Sequence, residues 1–174
     1  APEDARAIID QLPPFIFSVG VFVNESRERI LEVARIAGIG IVQLHGDESP
    51  EFCRELDSLK IIKALRVGEG FNPDSIARFD VSAVLLDTNI KGSYGGTGRR
   101  FDWRVAIEAK QYARIILAGG LNADNVAEAI AEVKPFGIDV CSGVEAEPGR
   151  KDLDKLRRFM TEVKRAISQI DFEV

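Results

Sequence analysis

With one histidine and two well-separated cysteines, the chain carries little of the usual equipment for metal or nucleophilic chemistry. A lone His45 removes every two-histidine metal motif and leaves a Ser-His-Asp triad without support. Cys53 and Cys141 show no CxxC spacing, so neither a zinc site nor a disulfide framework is expected, and a reducing compartment, the cytoplasm, fits. The candidates that remain are carboxylates and glycines. Asp87 closes the apolar run Val84-Leu85-Leu86. A carboxyl there, beside apolar walls, can serve as a general acid; the plain alternative is a solvated aspartate capping a turn. Asp139 lies within Gly137-Ile138-Asp139-Val140, where a buried charge needs a partner or a ligand. Alternation sets Asp139 and Cys141 on one face and Ile138 and Val140 on the other.

Two glycine turns are the strongest chemical signal. Gly119-Gly120-Leu121-Asn122 and Ser142-Gly143-Val144-Glu145 each follow an apolar run with side-chain-poor backbone, which lets amide N–H groups approach a phosphate closely. A short helix after Ser142-Gly143 would add its N-terminal dipole. Either turn alone could simply reverse the chain; together, on consecutive strands, they point to a phosphate site. His45 is open to three readings, a substrate contact, a base, or a hydrogen-bond partner for a neighbouring loop, with the last favoured. Residues 92–98, Gly92-Ser93-Tyr94-Gly95-Gly96-Thr97-Gly98, have the composition of a lid, and equally of a mobile connector.

These residues need a frame that brings strand ends together. Apolar, β-branched runs recur at 17–23, 40–44, 61–67, 83–86, 114–118 and 137–140. They are too continuous for half-solvated antiparallel strands and suit strands covered on both faces. Amphipathic stretches lie between them, opened by Ser26, Ser49-Pro50, Asn72-Pro73, Asp102, Asn122 and Asp152 as caps. A leading helix is expected over 2–12, with Pro2 in its first turn. The last helix, 153–167, sets Leu156, Phe159, Met160, Val163 and Ile167 on one side, so Phe159 and Met160 read as core. Cys53, inside the helix opened by Ser49, reads as an inert packing residue.

Strict βα alternation means a parallel sheet with right-handed crossovers. A dinucleotide fold should carry G-x-G-x-x-G after its first strand, and nothing after Val23 matches. Glycines gathered after the late strands suit the phosphate site of a closed barrel instead. The expected fold class is therefore α/β, a (β/α)8 TIM-barrel type incomplete at its N-terminus, as a single partial domain over 1–174.

The bulk numbers agree. At 174 residues, 45% hydrophobic and 29% charged, the chain has the profile of one ordinary globular domain. A net charge of -5 argues against binding a nucleic-acid backbone but not a small anion, which responds to local backbone dipoles. No apolar run approaches membrane-helix length, and the opening Ala1-Pro2-Glu3-Asp4 is no signal pattern, so no membrane partner is expected.

In this order the residues resemble the phosphoribosylanthranilate isomerase family of tryptophan biosynthesis. The likeness rests on Val19-Gly20-Val21-Phe22-Val23-Asn24, Val42-Gln43-Leu44-His45-Gly46-Asp47-Glu48, Ile62-Lys63-Ala64, Leu85-Leu86-Asp87-Thr88, Gly95-Gly96-Thr97-Gly98 with Phe101-Asp102-Trp103, Ala118-Gly119-Gly120-Leu121-Asn122 and Asp139-Val140-Cys141-Ser142-Gly143-Val144-Glu145. The resemblance implies a cofactor-free barrel performing an Amadori rearrangement of N-(5-phosphoribosyl)anthranilate. It carries the general-acid role to Asp87, phosphate binding to Gly119, Gly120 and the Cys141-Ser142-Gly143 turn, and anthranilate contacts to Asp139. The six strands would be the family's third through eighth. The leading strand, helix and second strand, with the family's catalytic cysteine, have no counterpart, so the chain is expected to lack them. Cys141 stands where the family usually has serine; a conservative exchange explains it, and a substitute base is the alternative. Three readings follow: an isomerase, an inactive phosphate-ligand-binding fragment, and one half of a split barrel. Open edges at 17–23 and 137–140 would make an isolated chain aggregate, stay partly molten, or pair through them as a homodimer or with a complementing chain.

Overall fold

The computed structural model describes residues 1–88 and 102–170. The loop at 92–98 and Phe101 lie outside the described residues. After α1 (Pro2–Ile9) come β1 (Val19–Phe22), α2 (Arg27–Ala37), β2 (Ile41–Leu44), α3 (Pro50–Arg54) and β3 (Lys60–Val67). A 3-10 turn (Pro73–Arg78), β4 (Ala83–Thr88), α4 (Trp103–Ala109), β5 (Ile115–Leu117), α5 (Val126–Val133) and β6 (Gly137–Ile138) follow. The chain then makes a short 3-10 turn (Ser142–Val144), a hairpin of β7 (Glu145–Glu147) and β8 (Arg150–Lys151), and α6 (Leu153–Ile167).

Strands β1 to β6 form one sheet in chain order, and the pairs β1–β2, β2–β3 and β5–β6 are parallel. A doubly wound sheet reverses its strand order at a switch point; this one never does, which is the winding of a barrel wall. The chain divides into two compact units, Ala1–Leu65 with Ser75–Val84, and Arg66–Asp74 with Leu85–Val174.

In the first unit, Ser26 and Ser49 cap as their types predict, accepting from the N–H of Arg29 at 3.3 Å and of Phe52 at 3.2 Å. Gly38 closes α2 in the left-handed region. Their buried faces meet in a cluster of Ile30, Val42, Leu44, Cys53, Leu56 and Ile61. Cys53 is the packing residue expected, and burial pushes its thiol up. Two expectations fail in the elements before β4. The Asn72-Pro73 device opens a 3-10 turn and not an α-helix, because Asn72 Oδ1 accepts from the Asp74 N–H two residues on and tightens the turn. The 17–23 run is not covered on both faces: Val21 stands 60% exposed, and Val19 and Val23 share its side.

The second unit packs α4 against α5 and α5 against α6. Asp102 and Asp152 cap α4 and α6 through the N–H groups of Arg104, and of Asp154 and Lys155. Asn122 does not cap a helix. It makes a turn of its own, accepting from the Asp124 N–H at 2.8 Å, and α5 starts only at Val126. Along α6 the buried stripe is Phe159, Val163 and Ala166, while Met160 is 43% exposed and Ile167 also faces solvent. The stripe is narrower than the apolar residues on the helix, so helical spacing alone assigned Met160 to the wrong side.

Candidate functional site

Three strand ends of the second unit finish level. The Ala118 N–H donates to Leu86 O and the Asp139 N–H to Leu117 O, both at 2.9 Å. Asp87, the Ala118–Gly120 segment and the Asp139–Cys141 segment therefore emerge side by side at the C-terminal ends of β4, β5 and β6, the end where parallel α/β sheets carry their chemistry. Asp87 is not a solvated loop residue. It sits inside β4, 9% exposed, behind fully buried Val84 and Leu86.

The two glycine turns interlock. Gly119 and Gly120 both lie at positive φ, 80° and 70°, which a side chain would strain. The buried Asn125 amide clips this turn from below: its Nδ2 donates to Gly120 O at 2.9 Å and its Oδ1 accepts from the Asn122 N–H at 2.9 Å. On the neighbouring turn, a Cβ at Gly143 would run into the Leu121 carbonyl oxygen. Only glycine lets the two loops lie this close.

Around Cys141 the structure departs from expectation. The β6 ladder stops at Ile138, and Asp139 beyond it is exposed. Exposure does alternate, with Asp139 and Cys141 outward and Ile138 and Val140 half-buried. The element after Ser142-Gly143 is a three-residue 3-10 turn, too short to supply a helix dipole. Its support comes from the hairpin that follows. Lys151 Nζ donates to Cys141 O and to Glu145 Oε1, each at 3.0 Å, and lies 3.6 Å from Cys141 Sγ. Lys151's hydrogen bond holds the Glu145 carboxyl below its ordinary range, and Glu145 holds the Lys151 ammonium above its own. Lys151 was missed in the sequence, although Pro148-Gly149 marks the reversal that returns it.

His45 belongs to the first unit, at the end of β2. It is half-buried, with Nδ1 at 2.8 Å from Gln43 Nε2, while its backbone N–H donates to Phe22 O. Beneath it lies an ion pair that no sequence pattern announced. Lys63, 1% exposed, directs Nζ to Leu44 O (3.1 Å), Gly46 O (2.8 Å) and Glu48 Oε2 (2.8 Å). Glu48 accepts from the N–H groups of Asn24 (2.8 Å) and Gly46 (3.0 Å), and Asn24 Oδ1 accepts from the Asp47 N–H at 2.7 Å. All three ammonium protons are used, which makes the buried charge tolerable. Burial pushes the Glu48 carboxyl up; the Lys63 hydrogen bond and the backbone donors outweigh it and hold it below the ordinary range.

Among the described residues no group of three metal-type side chains gathers, and no helix is long and apolar enough to cross a membrane.

Comparison with known proteins identifies a family. Residues 1–162 match the model of the N-(5'-phosphoribosyl)anthranilate (PRA) isomerase family. The N-(5'-phosphoribosyl)anthranilate isomerase of Trichlorobacter lovleyi is 50% identical over 167 residues, 95% of this chain and 81% of the relative. Among solved structures, the phosphoribosyl anthranilate isomerase of Thermus thermophilus superposes with a TM-score of 0.85 at 34% identity, over 95% of this chain and 80% of that one. Another isomerase, solved with reduced 1-(o-carboxyphenylamino)-1-deoxyribulose 5-phosphate, gives 0.78 at 42% identity over the same shares. These shares measure how much of each relative is matched and not which part, so the expectation of an absent leading segment is not borne out by them.

Proposed function

The chain belongs to the N-(5'-phosphoribosyl)anthranilate isomerase family, a family of (β/α)8-barrel isomerases in tryptophan biosynthesis, and on that premise we propose how its own residues divide the reaction. The reaction converts N-(5'-phosphoribosyl)anthranilate to 1-(2-carboxyphenylamino)-1-deoxyribulose 5-phosphate. Asp87 donates its proton to the furanose ring oxygen as the C1–O bond breaks, leaving an iminium at C1. Loss of the C2 proton to a base then gives an enolamine, which tautomerises to the ketone. Gly119, Gly120 and the Cys141-Ser142-Gly143 turn hold the phosphate through backbone N–H groups. Asp139 borders the anthranilate part. His45, just after β2, is carried as a further substrate contact on the family resemblance alone.

The observation that carries this reading is the coincidence of a buried carboxyl at the end of β4 with two interlocked glycine turns on the adjacent strand ends. A general acid needs a dry wall and a phosphate anchor needs bare backbone, and one end of one unit supplies both. Cys141 belongs to the phosphate turn, its carbonyl held by Lys151, and that assignment suits a serine-like exchange better than a base. The setting is the cytoplasm, where the free thiols Cys53 and Cys141 persist.

One observation favours a second arrangement. β1 ends the sheet, and Val19, Val21 and Val23 expose an apolar row beside it. A second copy or a complementing chain seated there would complete the wall, as in a homodimer or a split barrel.

The test is isomerisation of freshly generated N-(5'-phosphoribosyl)anthranilate, followed as loss of its fluorescence. It is run with the chain alone and with an added peptide spanning a strand, helix and strand of the family's leading type. Turnover only with the peptide assigns the base to that segment. Turnover without it points to Cys141, and no turnover with tight phosphate binding leaves an inactive phosphate-ligand-binding protein.

A further inference from the structure

The short turn Ser142–Val144 has too little regular structure to fix its own amides. It is one 3-10 turn, and Cys141 and Ser142 on its leading side are exposed. Its rigidity has to come from elsewhere, and the hairpin supplies it. Pairing of Glu145 with Lys151 across β7–β8, with the Asp152 N–H donating to Val144 O at 2.9 Å, folds the chain back so that Lys151 returns to Cys141. There a single ammonium holds the Cys141 carbonyl and the Glu145 carboxylate, one on each side of the turn. Glu145 is tied in three further ways: Oε1 accepts from the Gly149 N–H at 3.4 Å and lies 3.5 Å from Cys141 Sγ, and its carbonyl accepts from Lys155 Nζ at 2.7 Å.

We infer that Lys151 is a positioning residue for phosphate binding, acting through Cys141 and Glu145 to hold the 142–143 amides in the orientation an anion needs. Lys151 is 44% exposed along its side chain against 13% for Glu145, and a pair open to solvent on its cationic side adds only modestly to stability. Its bonds converge on the backbone of the turn, where small displacements matter most: a donor moved out of line loses most of its hydrogen bond. The inference rests on the phosphate reading of the two glycine turns. It adds a residue that touches no substrate and that determines how tightly the phosphate is held.

The test is titration of the full chain with inorganic phosphate, read from the amide resonances of Gly119, Gly120 and Gly143, with a thermal melt of every variant. The wild type should shift all three. Lys151→Met should bind about tenfold more weakly, the worth of one charge-assisted hydrogen bond, with its melting temperature unchanged. Glu145→Gln should weaken binding in the same direction, and Lys151→Arg should restore most of the affinity. Equal affinity in the wild type and Lys151→Met overturns the positioning role and leaves the phosphate site standing. Tighter binding by Glu145→Gln also overturns it, because Lys151 would then act as a bare charge freed from its counter-ion. Wild-type amides that ignore phosphate overturn the phosphate reading itself, and the inference with it.

Discussion

At the scale of single residues, Asp87 and Gly143 make the sharpest demands. If Asp87 protonates the ring oxygen, Asp87→Asn removes the proton donor while keeping the shape of the β4 end. Turnover in the fluorescence assay should fall by about 10²–10⁴-fold, and product binding should persist. Equal turnover by the variant would remove Asp87 from the mechanism. Gly143→Ala places a methyl group against the Leu121 carbonyl, which is backbone and cannot swing aside. The cost should be about 1–3 kcal/mol in urea unfolding, with phosphate affinity lost together with stability. An Ala variant as stable and as tight as the wild type would mean the two turns can separate freely. The place of Asp87, buried at a strand end, was legible because an ionisable group closing a continuous apolar run is chemically conspicuous. The burial of Asp139 was misread: a strand pattern implied it, but β6 ends before that residue and leaves it exposed.

At the scale of elements, the local signals were readable and the distant ones were not. Caps such as Ser26, Ser49, Asp102 and Asp152 act on N–H groups two or three residues away, so the sequence contains the whole interaction. Asn122 looked the same but was diverted, because the Asn125 amide takes hold of its N–H and of Gly120 O. The Glu48–Lys63 pair joins the loop after β2 to the interior of β3, and nothing in either segment marks its partner. Its consequence can be measured. Removing one member strands the other charge in the core, so Glu48→Gln and Lys63→Met should each cost about 3–5 kcal/mol. The double variant should cost clearly less than the two together. Glu48 also sets an acid limit. Its folded-state pKa is lowered, so its contribution is fully present above its ordinary value of 4.5 and drains away as pH falls through the folded value. The urea midpoint of the wild type should therefore drop on acidification below that point, more steeply than that of the double variant. Parallel acid profiles would show the pair to be energetically silent.

At the scale of the whole molecule, the parallel, non-reversing strand order was visible in the sequence as the alternation of apolar runs and capped helices. What alternation could not reveal was which strands would be covered. β1 reads like its neighbours, yet one of its faces is bare. The His45 N–H donates to Phe22 O, so Phe22 turns its backbone toward β2. By the alternation of a parallel ladder, Val21 and its odd-numbered neighbours turn theirs to the outer edge. Val21 thus combines outward backbone groups with a side chain 60% exposed, the pairing surface that natural sheets usually block with charge. If that edge recruits a second copy or a complementing chain, the wild-type chain should elute or sediment above its monomer mass of 19.1 kDa as concentration rises. Val21→Lys should return it to the monomer with its circular dichroism intact, since the new charge points into solvent and leaves the Val42–Leu44 packing untouched. The complementing peptide should also shift the wild type toward a one-to-one complex and fail to bind Val21→Lys. A wild type that stays monomeric at every concentration and ignores the peptide would mean that the edge is capped within the chain itself, and both the homodimer and the split-barrel arrangements would go with it.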